Sequence, residues 1–269
     1  MRRYLTISSL GLFVALRLGA HDTWLQPTVS AVAPGDIINL TLTSANGFKG
    51  AEKGPAPERV HRAFLRLAGV IVPLDISPAS EKVLGFSAKP GLPGVGVCAV
   101  ELKPRDLELP PHLIQHYFDE IHAGEALRRQ WLEVPEPRRW RERYIKVAKT
   151  FVRVGDPSVP AKDWSEPNGL TLEILPERDP TTLQVGDLLP VRVLRNGTPL
   201  AEFTLGFVAE GETHHHVVTT DADGRAAAPV DRSGLWLVHG TDLWRSQQKG
   251  CEWESVFTTL VVEVAARKR

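Results

Sequence analysis

Short apolar runs separated by proline and glycine recur along most of this sequence, and they constrain its fold more than any other feature. Towards the start they include DIINLTLTSA, AFLRLAG, VIVPLDI and GVGVCAVEL, and towards the end LLPVRVLRNGTPL, EFTLGFVAEGE and SVFTTLVVEV. Runs of this length, rich in Val, Ile, Leu and Thr and bounded by turn residues, are typical of antiparallel β-sandwiches. We therefore predict a mainly β fold.

The two halves of the sequence resemble each other, which predicts two related domains. VAPGDIINLTL at residues 32–42 is similar to LQVGDLLPVRV at residues 183–193. Two copies are too few for a solenoid, so each copy must close its own core. We predict two tandem β-sandwiches of the Ig-like or prealbumin-like kind, over residues 21–106 and 156–269, with a helical connector over residues 107–155.

The predicted connector differs from the segments on either side in the spacing of its apolar residues. Its second half places Trp140, Tyr144, Val147 and Phe151 at spacings of 4, 3 and 4, which predicts the apolar stripe of an amphipathic helix. The opposite face of this helix is basic. Such a helix can lie on an anionic membrane, but between two sandwiches we favour packing of the stripe on a protein core.

The first twenty residues have the pattern of a secretory signal peptide. Arg2 and Arg3 precede an apolar stretch, and Ala20 is a small residue suited to signal peptidase cleavage. We predict a signal peptide over residues 1–20 and a periplasmic or secreted product. No later apolar run approaches the ~20 residues that a bilayer span needs.

The charge balance of the chain and the positions of its two cysteines bear on two questions, whether it binds nucleic acid and whether it forms a disulfide. The chain has 32 Lys and Arg against 32 Asp and Glu, whereas binding to nucleic acid depends on positive charge placed against phosphates. We therefore expect no nucleic-acid partner. Cys98 lies in an apolar, strand-like run and Cys251 in a loop-like one, so we expect no disulfide.

Cleavage after Ala20 would make His21 the first residue of the mature chain. A free α-amine and an imidazole on one residue can chelate Cu(II) or Ni(II), which favour nitrogen ligands in a tetragonal arrangement. Asp22 beside it can add an oxygen ligand or hydrogen-bond the ring. The alternative is that His21 is merely the residue that follows the cleavage site.

Three further histidines are candidate metal ligands. His214 and His216 stand two apart on a predicted strand, so their side chains leave one face with Cα atoms about 6.5–7 Å apart, while His215 points to the other face. His239 interrupts an apolar strand. It is either a core residue or the partner of His21 in a three-nitrogen brace, and His214 and His216 are either a half-site or polar residues near a hairpin tip.

Several motifs resemble those of a large family of exported bacterial proteins that carry a domain of unknown function. They are AHDTWLQP, the PGD strand opener, RERYIKVAKTFVRVGD, and the closing segments TDADGRAAAPVDRSGLWLVHG and WESVFTTLVVEV. Members of that family are described as periplasmic components of nickel or cobalt uptake. They commonly begin with His-Asp followed by Trp, which His21, Asp22 and Trp24 match, and carry a histidine at the position of His239. The resemblance implies two exported β-sandwich domains with a transition-metal role.

Our leading hypothesis is an exported, non-enzymatic protein that binds Ni(II), Co(II) or Cu(II) and presents it to a membrane transporter. Its predicted ligands are His21, Asp22 and His239, with His214 and His216 as a second pair. The sequence contains neither a Gly-x-Ser-x-Gly nor a Gly-x-x-x-x-Gly-Lys motif. One alternative is a structural or adhesive module that binds a protein or polysaccharide without metal, and another is a copper oxidase with a histidine brace.

Overall fold

A computed structural model of the protein describes residues 21–78, 80–156 and 162–267. The predicted signal peptide, residues 1–20, lies outside the described residues. The mainly β, sandwich-like architecture predicted from the sequence is confirmed, because three sheets stack on one another and the helices are short.

A central sheet of ten strands runs through both halves of the chain. Along its path lie β15 (His216–Thr219), β14 (Thr204–Ala209), β17 (Gly234–Arg245), β18 (Trp253–Val264), β10 (Trp140–Val154), β8 (Gly94–Leu102), β4 (Val60–Leu67) and β5 (Val70–Pro73), with β2 (Ala31–Val32) and β9 (Arg105–Leu109) also paired to β10. Neighbouring strands are antiparallel, except that β10 is parallel to β18 and to β2.

Two four-stranded sheets cover the two faces of this central sheet. The N-terminal sheet contains β1 (Asp22–Pro27), β3 (Ile38–Ala45), β7 (Leu84–Ala88) and β6 (Asp75–Pro78), and the C-terminal sheet contains β11 (Leu172–Pro176), β12 (Asp187–Arg195), β13 (Thr198–Pro199) and β16 (Arg225–Val230). On β10, Val152 packs into the core shared with the N-terminal sheet, whereas Phe151 packs into the core shared with the C-terminal sheet. The central sheet is therefore buried on both sides.

The helix predicted over Trp140–Val154 is wrong, because this segment is the long strand β10. Its last eight residues are all buried. A strand covered on both faces needs no alternation of apolar and polar residues, so its apolar positions matched a helical spacing by coincidence. Because β10 pairs with β8 on one side and β18 on the other, the two halves share one sheet, and the expectation of two separate sandwiches is wrong in that respect.

Short helices do occur in the segment between the halves. They are α1 (Ile114–Glu120) and α2 (Glu125–Leu132), and single 3₁₀ turns lie at Pro57–Arg59, Pro111–Leu113, Asp163–Ser165 and Pro180–Thr182. Apolar residues of α1 and α2 form a separate core with Trp140 and Trp253 of the central sheet. None of the helices described has the length and apolarity that a bilayer span requires.

Both cysteines are free thiols, as the sequence predicts. Cys98 is fully buried in β8, and Cys251 lies in the loop between β17 and β18. Burial raises the pKa of the Cys98 thiol to about 12, which makes it an unreactive core residue.

Candidate functional site

The start of β1 is fixed on the central sheet, and this brings Asp22 to His239. Trp24 packs in a core cluster with Leu237 and Val261, and the Thr259 hydroxyl donates a 2.7 Å hydrogen bond to the carbonyl of Thr23. Because alternate side chains of a strand point to the same side, Asp22 faces the central sheet as Trp24 does. The Asp22 carboxylate lies 3.3 Å from Nδ1 of His239 on β17.

His239 contacts a second histidine through its other ring nitrogen. Its Nε2 lies 3.0 Å from Nδ1 of His215, which directly precedes β15. β15 and β17 both pair with β14, so the sheet itself brings the two rings together. Asp22, His239 and His215 thus form a continuous line of polar contacts.

A third histidine, His122, lies at the edge of the same site. It follows α1, its ring centroid is 6.4 Å from that of His215, and with Asp22 and His239 it lines a small recess. Its backbone φ is 52°, a left-handed conformation that histidine adopts more readily than most residues and that often marks functional sites. We call Asp22, His122, His215 and His239 the histidine cluster.

Gly206 on β14 provides the space beneath the two contacting rings. A Cβ atom there would lie 2.4 Å from Nε2 of His239 and 3.1 Å from Nδ1 of His215. Gly206 is directly opposite His239 in the β14–β17 ladder. The close contact of the two imidazoles therefore depends on a residue without a side chain.

Gly206→Ala is expected to displace both rings and to lower the free energy of unfolding by about 1–3 kcal/mol, the usual cost of overpacking. The matched control is Gly91→Ala, because a Cβ at Gly91 meets nothing within 4 Å. Urea denaturation measures both changes, and NMR titration of the His239 ring reports its contact with Asp22. Equal stability of the two variants with an unchanged His239 titration would contradict this role of Gly206.

The electrostatics of the cluster give its members different protonation states. Burial disfavours the charged ring of His239, but the charge and hydrogen bond of Asp22 outweigh burial and raise its pKa above the usual value. Burial and the neighbouring His239 lower the pKa of His215 to about 4, and the same two causes lower the pKa of His122. At neutral pH, His215 and His122 are therefore neutral imidazoles.

This arrangement can bind a cation through nitrogen. Two ligands at about 2.0–2.1 Å from one metal ion lie roughly 2.8–3.4 Å apart for angles between square and tetrahedral, and the contacting nitrogens of His215 and His239 are 3.0 Å apart. A carboxylate on the far nitrogen of a metal-binding histidine is a common orienting partner, as Asp22 is for His239. Across residues 21–78, 80–156 and 162–267, no group of three or more His, Cys, Asp or Glu is arranged to hold a metal.

His21 does not join the cluster with its side chain. Its Nε2 lies 3.9 Å from a carboxylate oxygen of Glu52, in a different cleft, and its carbonyl accepts a 2.5 Å hydrogen bond from Nζ of Lys146. Of the two predicted N-terminal ligands, it is Asp22 that contacts His239.

His214 and His216 lie together on one face, in line with their spacing. Their ring centroids are 5.5 Å apart, and His216 stacks on Trp236 and lies 4.0 Å from Asp231. It is His215, on the opposite face, that meets His239. Strand alternation correctly separated His215 from its neighbours, but no sequence signal paired it with His239, and none singled out His122.

Comparisons with known proteins give the family and little about function. No curated protein matches the chain. Among solved structures, a crystal structure of a DUF4785 family protein from Legionella pneumophila is similar at 10% identity and a TM-score of 0.24. The match covers 80% of this chain and 50% of that protein, so the chain spans about half the length of that structure. The model of the family described as "Domain of unknown function (DUF4198)" matches residues 18–241, and the chain therefore belongs to this family.

Proposed function

We propose that this protein is an exported metal-binding protein and that it holds a divalent transition metal, Ni(II), Co(II) or Cu(II), through His215 and His239. The observation that carries the proposal is the 3.0 Å separation of two imidazole nitrogens whose rings belong to different strands. Asp22, on the far nitrogen of His239, is the orienting carboxylate.

The protonation state of His215 supports metal binding at this site, whereas the raised pKa of His239 means that a metal must displace a proton from that ring. A histidine must be neutral to coordinate a metal ion, and the lowered pKa of His215 keeps it neutral at physiological pH. Asp22 holds the proton of His239 on Nδ1, which leaves Nε2 available as a ligand. A metal bound there would also have His122 nearby, because its ring centroid is 6.4 Å from that of His215.

Export and cleavage after Ala20 would add one more nitrogen near the cluster. The α-amine of His21 would then stand one residue from Asp22, and it is a candidate third ligand. A brace that also uses the His21 imidazole requires this ring to leave Glu52 and cross to the other side of β1. Delivery of the bound ion to a membrane transporter is the role that the family resemblance implies.

The test is direct titration of the purified, EDTA-treated protein with Cu(II), Ni(II) and Co(II) by isothermal calorimetry. His215→Ala and His239→Ala are each expected to weaken binding at least about 100-fold, because each removes one of two protein ligands. Asp22→Asn is expected to weaken it about 10- to 100-fold, the usual effect of losing an orienting partner. Cu(II) should bind most tightly of the three ions.

His214→Ala is the matched control, since His214 is next to His215 in sequence but points away from the cluster. Its affinity for metal should stay within about twofold of the wild type. Equal affinity in all the variants, or a loss confined to His214→Ala, would contradict the proposed centre. Absence of any metal binding would favour the alternative of a structural or adhesive module.

A further inference from the structure

A second cleft, of about 500 Å³, lies beside the start of β1. His21 and Thr23 line it, whereas Asp22 between them faces the histidine cluster. The two sites thus lie on opposite sides of the same short segment. The volume of the cleft is that of a typical small-molecule site.

The lining of this N-terminal cleft is strongly positive. It includes four cations, Lys53, Arg59, Arg105 and Lys146, and one carboxylate, Glu52, which gives a formal charge of +3. Many other arginines of the protein pair with carboxylates, as Arg141 does with Glu252 and Arg225 with Glu177. Within the described parts of the chain, none of the four cleft cations has such a partner.

Lys146 lies at the inner end of this cationic group. Its ammonium donates hydrogen bonds to the carbonyl of His21 at 2.5 Å and to the Thr23 hydroxyl at 3.0 Å. Burial lowers the pKa of Lys146 to about 8, and the charges of Arg59 and Arg105 add to this effect while Asp22 opposes it. The cations therefore lie close enough to repel one another.

Arg59 is held in place and still has unused hydrogen-bonding capacity. Its Nη2 donates a 2.9 Å hydrogen bond to the carbonyl of Lys103, at the turn between β8 and β9. Its Nε is buried and has no partner among the residues that the structure describes. Buried polar groups are normally hydrogen-bonded, and an exception needs an explanation. The unpaired Nε–H leaves this guanidinium short of hydrogen-bond acceptors.

We propose that the N-terminal cleft binds a small anion that carries two or more carboxylate or phosphate charges, held by Arg59, Arg105 and Lys146. Oxyanions are the groups that arginine and lysine bind through charge-assisted hydrogen bonds. More than one negative charge is needed to balance the excess of positive charge in the lining. None of the four members of the histidine cluster lines this cleft, although the charge of Asp22 acts on Lys146.

The experiment first strips the purified full chain of metal with EDTA and removes the EDTA by dialysis, because EDTA is itself a polycarboxylate. Citrate and inorganic phosphate are then titrated separately at low salt, with calorimetry as the readout. We expect one of them to bind with a dissociation constant in the micromolar range and to weaken as NaCl is added, because salt screens the charges. Preferential binding of citrate identifies a polycarboxylate ligand, and preferential binding of phosphate identifies a phosphate-bearing one. Both outcomes support the proposal.

Arg105→Gln is the main variant, because the side chain is exposed and its loss should leave the fold intact. It is expected to raise the dissociation constant about 10- to 100-fold, the effect of losing one hydrogen bond to a charged group. Lys146→Gln should act likewise, with circular dichroism to verify folding. Arg225→Gln, an exposed arginine paired with Glu177, is the matched control, and His239→Ala separates this site from the metal centre.

Neither of these two controls should change the affinity for the anion by more than about twofold. Binding of neither anion at millimolar concentration would overturn the proposal. Binding that survives both Arg105→Gln and Lys146→Gln unchanged would overturn it as well, because the anion would then lie elsewhere on the surface.

Discussion

Glu173→Ala is expected to lower the free energy of unfolding by about 3–5 kcal/mol, because it leaves the ammonium of Lys149 buried without its counter-charge. Lys149 on β10 and Glu173 on β11 are each only 2% exposed, and their charged atoms lie 3.0 Å apart. Asn168 adds hydrogen bonds from its backbone N–H and its side-chain amide to the same carboxylate. This pair joins the central sheet to the C-terminal sheet, and urea denaturation measures its loss.

Two controls separate the cost of an unpaired charge from the net value of the pair. The double variant Lys149→Met with Glu173→Leu should have nearly the same free energy of unfolding as the wild type. Apolar residues of similar volume can often replace a buried ion pair without loss of stability. Glu177→Ala removes the exposed partner of Arg225 and should cost less than about 1 kcal/mol. A double variant as unstable as Glu173→Ala would contradict the explanation.

The same pair predicts a pH dependence of the difference between Glu173→Ala and the wild type. Burial alone would raise the pKa of Glu173, but the charge of Lys149 and the Asn168 hydrogen bonds outweigh it and hold the pKa below its usual value. A depressed carboxyl pKa stabilises the folded state above the unfolded-state pKa of about 4.3, and this contribution is lost as the pH falls further. The difference in stability should therefore be full at pH 7 and shrink below about pH 4.

Trp140→Ala is expected to lower the free energy of unfolding by about 3–5 kcal/mol, the usual cost of removing a large aromatic side chain from a core. The Trp140 ring stacks on Trp253 with centroids 4.5 Å apart, and its Nε1 donates a 2.8 Å hydrogen bond to the buried carboxyl of Glu142. Three rings from α1 and α2 meet it edge-on, those of Tyr117, Phe118 and Trp131. Both helices should therefore loosen, and with them His122.

Hydrogen exchange measures this loosening directly. Amides of α1 and α2 should exchange faster in Trp140→Ala, while those of the distant β12 should be unchanged below the global unfolding transition. Leu132→Ala is the control on the same helix, because Leu132 is 63% exposed and its loss should change stability by only about 0.5 kcal/mol. Unchanged protection of the helices would show that they are held by other contacts.

Part of the candidate site was accessible from the sequence. His239 stood out as a polar residue in an apolar strand, and the alternation of strand side chains placed His214 and His216 together and His215 on the other face. Asp22 was singled out through its position beside His21. These are local properties of one strand or one terminus, and local spacing is sufficient to read them.

The convergence of the cluster was not accessible in this way. Asp22, His122, His215 and His239 come from four separate segments, and their meeting depends on the pairing of β14 with both β15 and β17 and on the docking of β1 against the central sheet. Likewise, the space that Gly206 leaves for two rings exists only once its strand is paired. Contacts across strands depend on register, which a single sequence does not encode locally.

The sequence by itself determined that the fold is mainly β and sandwich-like, that the segment between its halves contains helices, and that Cys98 lies in a core. The spacing of apolar residues, the turn residues and the apolar content are sufficient to predict these three features, because each depends on residues that are close together in the sequence. Only the tertiary structure decided that Trp140–Val154 is a strand and that the halves share one sheet. A strand that is buried on both faces lacks the alternation of apolar and polar residues by which strands are recognised. The sequence pattern of Trp140–Val154, which joins the two halves, was for this reason misleading.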